Sequence, residues 1–249
     1  QLAKALESIH ASWDKLVEKE KLTSGQVSQM KSLLETKPIT SVSPQTHLVI
    51  EAIIEDLAIK KTVFTNLDQQ FTAQTIFASN TSSFPIAWLA EAVTPERRKR
   101  FLGLHFFNPA TVMKLVEVIA SAQTDPTLAQ GLYTWFEING KEPALCADTP
   151  GFIVNRVARS FYGEALRIVS GDDEAQFKEV DRLMREVGDF KMGPFELMDL
   201  IGIDINYSVT SAVWEALGKS PRFTPHPLQK KLVEENRHGK KTRRGFYVY

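Results

Sequence analysis

Two ionisable residues stand out in a segment otherwise suited to a protein interior. LHFFNPATVMKLVEVI, residues 104–119, is mostly apolar, yet it holds His105 near one end and Glu117 near the other. Either side chain is costly to bury unless another group pairs with it. A carboxylate beside an imidazole fixes the ring's tautomer and stabilises its protonated form, which prepares the ring as a general base. Ser and Asn side chains could hold the oxygen that such a base deprotonates. SNTSS (79–83) follows an apolar run, and Asn155 opens a later helical stretch. Taken singly, these residues have plainer readings. A buried histidine is more often a satisfied core residue, and Ser/Asn clusters behind strands are usually caps and turns.

The elements that must position these groups can be read from periodicity. Leu2, Leu6, Ile9, Trp13 and Leu16 follow the spacing of a helix with one buried stripe. HLVIEAII (47–54), TIFASNTS (75–82), RFLGLHFF (100–107) and KLVEVIAS (114–121) are short runs rich in Val, Ile and Phe, the type expected of parallel strands covered on both faces. Helical stretches lie between them at 56–70 and 125–139, and EPALCAD (142–148) reads as a last strand. This alternation predicts a doubly wound, Rossmann-like α/β layer. DTPGF is a turn signal, and from Gly151 onward the pattern is helical, with Pro194 just inside a helix start. The expected fold is therefore α/β plus all-α: an α/β domain over 1–148 and a helical domain over 149–249. Ligands of open α/β sheets bind outside the carboxyl ends of strands, so SNTSS, His105 and Glu117 can share one cleft with Asn155.

Bulk properties narrow the classes. Thirty basic residues balance thirty acidic ones, so no global field points to nucleic acid or an anionic membrane. No apolar run approaches the roughly 20 residues of a membrane span. The opening residues read as amphipathic helix, not as a secretory signal. The single cysteine, Cys146, excludes internal disulfides and suits a reducing compartment, so a cytoplasmic location is expected, or the mitochondrial matrix in a eukaryote. Cys146 has no basic neighbour in sequence and reads as a small strand hydrophobe. His10, His47, His226 and His238 lack metal-ligand spacing, so no metal is expected.

SNTSS, GLHFFNP, MKLVEVI, DTPGFIVNR, GPFELMDLIG and GKKTRRGFYVY occur in the order and approximate spacing of the L-3-hydroxyacyl-CoA dehydrogenases, and the resemblance extends over essentially all 249 residues. The chain resembles that family. The resemblance implies NAD-dependent oxidation of an L-3-hydroxyacyl-CoA to the 3-ketoacyl-CoA, as in fatty acid β-oxidation. It implies His105 as the base, Glu117 as its partner, and Ser82 and Asn155 as substrate contacts. It also implies that Glu55, Lys60, Asn80, Asn108 and Lys241 line the nicotinamide cofactor. A helical part of about 100 residues this rich in Leu, Ile, Val and Phe rarely hides them all internally, so it is expected to pair with a second subunit as a homodimer. Short acyl chains such as 3-hydroxybutyryl are the default, with a dicarboxylic 3-hydroxyadipyl group as the other possibility.

Two features depart from the family pattern. A dinucleotide-binding domain is expected to open with a strand and a GxGxxG turn, and no GxGxxG occurs here. By the usual βαβ length, roughly thirty residues would precede Gln1 in a complete protein. The second is Arg243 in KKTRRGFYVY, where the family commonly has Gly. A positive φ there would cost Arg about 1 kcal/mol. A competing reading of another class is a non-catalytic association module with a broken nucleotide domain. A third, a 6-phosphogluconate- or UDP-sugar-type dehydrogenase, shares the two-domain plan, but the HFFNP/VEVI pair speaks against it.

Overall fold

The computed structural model describes residues 2–249, which fall into two compact units. One runs to Thr46 and takes in Gln70–Thr72; the other comprises His47–Gln69 and Ala73–Tyr249.

In the first unit, α1 (Leu2–Glu18) and α2 (Ser24–Leu33) form a helical pair, tied by Lys31 Nζ to Asp14 at 2.7 Å. Thr23 caps α2 reciprocally with Gln26, so the helix starts where its sequence directs. The α1 stripe is less buried than its spacing predicts. Leu2 and Ile9 are exposed, Leu6, Trp13 and Leu16 are half-buried, and no α1 residue is fully buried. The ten residues of α2 can cover only part of a seventeen-residue stripe.

The second unit carries one five-stranded sheet, ordered as in the chain: β1 (Leu48–Glu51), β2 (Ile76–Ser79), β3 (Phe101–Phe106), β4 (Leu115–Ala120) and β5 (Glu142–Ala147). β1, β2 and β3 are parallel, whereas β4 runs antiparallel to β3 and β5 pairs parallel with β4. The sheet is thus mixed, which corrects the all-parallel reading of the apolar runs. The reason is chain length. Residues 107–114 are too few for the crossover a parallel pair needs, about a dozen or more, so the chain turns back. The antiparallel register sets His105 directly opposite Glu117. Helices α3 (Leu57–Gln70), α4 (Ile86–Ala90), α5 (Pro95–Arg98) and α6 (Pro126–Ile138) connect the strands. Asp148, just past β5, accepts hydrogen bonds from Ile86 N and Ala87 N at the start of α4. Cys146 is buried in β5; burial first, then the charge of Glu117, pushes its thiol up to about 12.

After Gly151 (φ +74°) and Phe152 (φ +48°) the chain is helical: α7 (Val154–Ile168), α8 (Glu174–Glu186), α9 (Pro194–Ile201), α10 (Ile203–Ala216) and α11 (Pro227–Glu234). Phe177, Phe195 and Phe246 pack with ring centroids 4.7–5.0 Å apart at the centre of this layer. Two buried aspartates lock it. Asp181 accepts from Phe195 N, Glu196 N and Tyr247 Oη, and Asp199 accepts from Phe246 N, Tyr247 N and Tyr249 Oη. Burial raises both carboxyls above the ordinary aspartate range. The glycines of the two flanking motifs make room for these carboxylates: a Cβ on Gly193 would lie 2.3 Å from Asp181, and one on Gly245 2.1 Å from Asp199.

Candidate active site

Strand register brings the two ionisable residues of the opening segment together. His105 Nδ1 lies 2.7 Å from Glu117 Oε2, and both side chains are buried. The second oxygen of Glu117 reaches the helical layer, where Oε1 accepts from Ile153 N at 2.9 Å and Val154 N at 2.8 Å, at the start of α7. Positive potential at a helix N-terminus favours a carboxylate there. One buried carboxylate therefore holds the imidazole and docks the helix that carries Asn155. The rings of Phe107 and Phe152 flank the imidazole, with centroids 4.6 and 6.0 Å away. Among the described residues Nε2 has no hydrogen-bond partner, which leaves it to meet a ligand.

Asn155, one residue into α7, donates from Nδ2 to Ser82 O at 3.3 Å, linking α7 to the turn after β2. That turn is organised by Glu55. Its Oε1 accepts from Thr81 Oγ1 (2.6 Å), Ser82 N (2.9 Å), Ser83 N (3.2 Å) and Ser83 Oγ (2.9 Å). Burial opposes ionisation of Glu55, but these bonds and the Lys60 charge outweigh it and hold the carboxyl below the ordinary glutamate range. Lys60 is fully buried, with Nζ 2.7 Å from Glu51 Oε1, 3.2 Å from Glu55 Oε2 and 3.4 Å from Ile53 O. Glu51 also accepts from Ser79 Oγ at 2.6 Å. Sequence reasoning passed over Glu51 and Ser79; a carboxylate closing an otherwise apolar strand was the available signal.

Asn80 Oδ1 accepts from Phe106 N at 2.9 Å, joining the carboxyl ends of β2 and β3. Asn108 is exposed at the head of the turn after β3, before the cis Asn108–Pro109 bond. Lys241 Nζ lies 2.6 Å from the Asp204 carboxylate. Asp204 in turn lines a cavity of about 350 Å³ with Glu55, Ser82, Ser83, Ile205 and Val209. Thus His105–Glu117 and Lys60–Glu55–Ser82–Asn155 are connected sets, and Lys241 approaches the second through Asp204. Asn108 is exposed and, among the described residues, no hydrogen bond joins it to either set. The cavity has an apolar wall on α10 and a polar rim of Ser and carboxylate groups. A mixed apolar and polar lining of this kind is what small-molecule sites present.

Comparison with known proteins gives a consistent picture. The profile described as 3-hydroxyacyl-CoA dehydrogenase, NAD binding domain, matches residues 1–149, and the C-terminal domain of the same enzymes matches residues 151–249. The human mitochondrial hydroxyacyl-coenzyme A dehydrogenase is 41% identical over 254 residues, 100% of this chain and 80% of that protein. The 3-hydroxyadipyl-CoA dehydrogenase of Escherichia coli K12 is 42% identical over 248 residues, 99% of this chain and 51% of that protein, so this chain spans about half of it. Among solved structures, the (S)-3-hydroxybutyryl-CoA dehydrogenase of Ralstonia eutropha superposes with a TM-score of 0.91 at 31% identity, covering 100% of this chain and 86% of that one. The chain belongs to the 3-hydroxyacyl-CoA dehydrogenase family, a family of NAD-dependent oxidoreductases.

Proposed function

We propose that His105 is the general base in the oxidation of an L-3-hydroxyacyl-CoA to its 3-ketoacyl-CoA, oriented by Glu117. The observation that carries this reading is the buried 2.7 Å contact from Nδ1 to Glu117, which sets the lone pair on Nε2. With Nδ1–H donated to the carboxylate, Nε2 accepts the proton of the substrate 3-hydroxyl, and Glu117 stabilises the imidazolium that forms. NAD, when bound, supplies the acceptor for the hydride that leaves C3. Ser82 Oγ and Asn155 Nδ2 are the groups available to hold the reacting oxygen or the thioester carbonyl. Fixing such a geometry contributes several kcal/mol to a typical catalysed step. Phe107 and Phe152 shield the imidazole from bulk water.

Glu55, Asn80, Asn108 and Lys241 are the residues proposed to face the cofactor. Lys60, being buried, acts by orienting Glu55. The acyl group is proposed to be a short straight chain such as 3-hydroxybutyryl. The chain is further proposed to divide near residue 148 into a nucleotide-binding part and a helical part that pairs with a second copy. Exposed apolar side chains support the pairing: Val157 and Ile168 on α7, and Leu183 on α8 with Val187 and Phe190 just beyond it. Among the described residues no helix is long and apolar enough to cross a membrane.

A panel of 3-hydroxyacyl-CoA substrates assayed with NAD tests the reading, with His105→Gln as the control. Turnover that falls about 10²-fold or more in the variant is expected for loss of a general base. Undiminished turnover would place the base elsewhere.

A further inference from the structure

Arg159 in α7 is an unusual cation for a protein interior. It is 5% exposed, and its partners are neutral oxygens: Asn155 O at 3.0 Å from Nε, with Asn206 O at 3.0 Å and Thr210 Oγ1 at 2.9 Å from Nη1. The Tyr162 ring lies 4.9 Å from the guanidinium carbon. No carboxylate pairs with Arg159 among the described residues, and its Nη2 has no acceptor there. A buried charge without a counter-charge costs several kcal/mol.

Beside this guanidinium is a cavity of about 10 Å³, lined by Arg159, Thr210, Arg222, Thr224, His226 and Gln229 among others, none of them acidic. That volume holds one water-sized sphere. His226 caps α11 by accepting Leu228 N at its Nδ1, so a neutral ring carries its proton on Nε2 and is a donor there. Burial first, and then the Arg167 charge, lowers the His226 pKa, which keeps the ring neutral at pH 7. A buried guanidinium with unused donors, a second arginine, no acid in the wall and room for one small sphere make a single coherent site.

We propose that this cavity between α7, α10 and α11 binds one monovalent anion of halide size, held by Arg159 and Arg222. Water would satisfy the hydrogen bonds but leave the charge unbalanced; chloride does both. None of the residues lining the site is His105 or Glu117, so its occupancy is read directly as stability.

The test compares melting temperatures of the full chain in sodium chloride and sodium gluconate at equal ionic strength, together with anomalous diffraction from bromide-soaked crystals. A saturable rise of about 3 °C with chloride over gluconate is expected for a bound ion in tenfold excess over its Kd. A bromide peak in the cavity is expected with it. Arg159→Gln and the more exposed Arg222→Gln should each lose the chloride-dependent shift. If Arg159→Gln does not fold, Arg222→Gln and the wild-type bromide map decide. Equal melting in the two salts, with a water in the cavity and no anomalous signal, would overturn the proposal. A bromide peak without chloride-dependent stabilisation marks binding at soak concentration only and also counts against it. Stabilisation with the peak elsewhere places the ion at another site and rejects this one.

Discussion

The substitution Glu117→Gln separates holding the base from merely filling space. The carboxylate accepts three hydrogen bonds: Ile153 N and Val154 N on Oε1, and His105 Nδ1 on Oε2. A glutamine has one acceptor end and one donor end. If its oxygen stays on the two backbone N–H groups, its NH₂ faces Nδ1, which must then be the acceptor. The histidine proton moves to Nε2, where the base needs its lone pair. If the amide flips instead, two buried N–H groups face a donor, at a cost of about 2–6 kcal/mol. The first arrangement wins, and the imidazole is locked in the wrong tautomer. A trapped tautomer of this kind lowers turnover by about 10⁴ where a carboxylate orients a catalytic histidine. We therefore expect a fall of about 10³ to 10⁴ in the single-turnover rate of NADH formation, with NAD affinity nearly unchanged. Because Gln keeps both bonds to α7, stability should fall by only about 1 kcal/mol. Glu117→Ala strands all three donors and should cost about 3 kcal/mol or more. A Gln variant within tenfold of wild-type turnover, or one as unstable as the Ala variant, would refute this account of Glu117.

The remaining expectations concern other groups. The Glu55 carboxyl is held below its ordinary range in the folded state, so it contributes stability above about pH 4.5 that is lost as pH falls through the folded value. Melting curves from pH 6 to 3 should show that loss, and Glu55→Gln should flatten it; identical profiles would reject the clasp. Arg243 has φ +59°, the left-handed conformation suspected from its place in the motif. Arg243→Gly should raise stability by about 0.5–1 kcal/mol in denaturant titrations, and a loss would mean that the Arg side chain contributes more than the strain costs. Light scattering at micromolar concentration should find a dimer. Val157→Glu with Ile168→Glu should yield a folded monomer if that face is the contact; an unchanged dimer would move the interface elsewhere.

The sequence by itself determined the element types and the chemistry. Short Val/Ile/Phe runs, helical spacings, caps such as Thr23 and N-terminal prolines such as Pro194 are local signals. The observed elements Leu48–Glu51, Phe101–Phe106 and Pro194–Ile201 fall where those signals lie. His105 and Glu117 could be paired because charge in an apolar run demands a partner and few were on offer. Tertiary structure alone decided what depends on the path between elements. The antiparallel turn at β4 follows from the length of 107–114, a constraint that apolar composition does not express. Burial of α1 depended on the size of its helical partner, not on its own periodicity. The second bond set of Glu117, to Ile153 N and Val154 N, joins residues 36 and 37 positions apart, and the Glu55 bonds to Ser82 N and Ser83 N span 27 and 28. Such contacts are made by backbone donors, which every residue but proline carries. Side-chain identity cannot announce them, and only the fold selects which of them a carboxylate will meet.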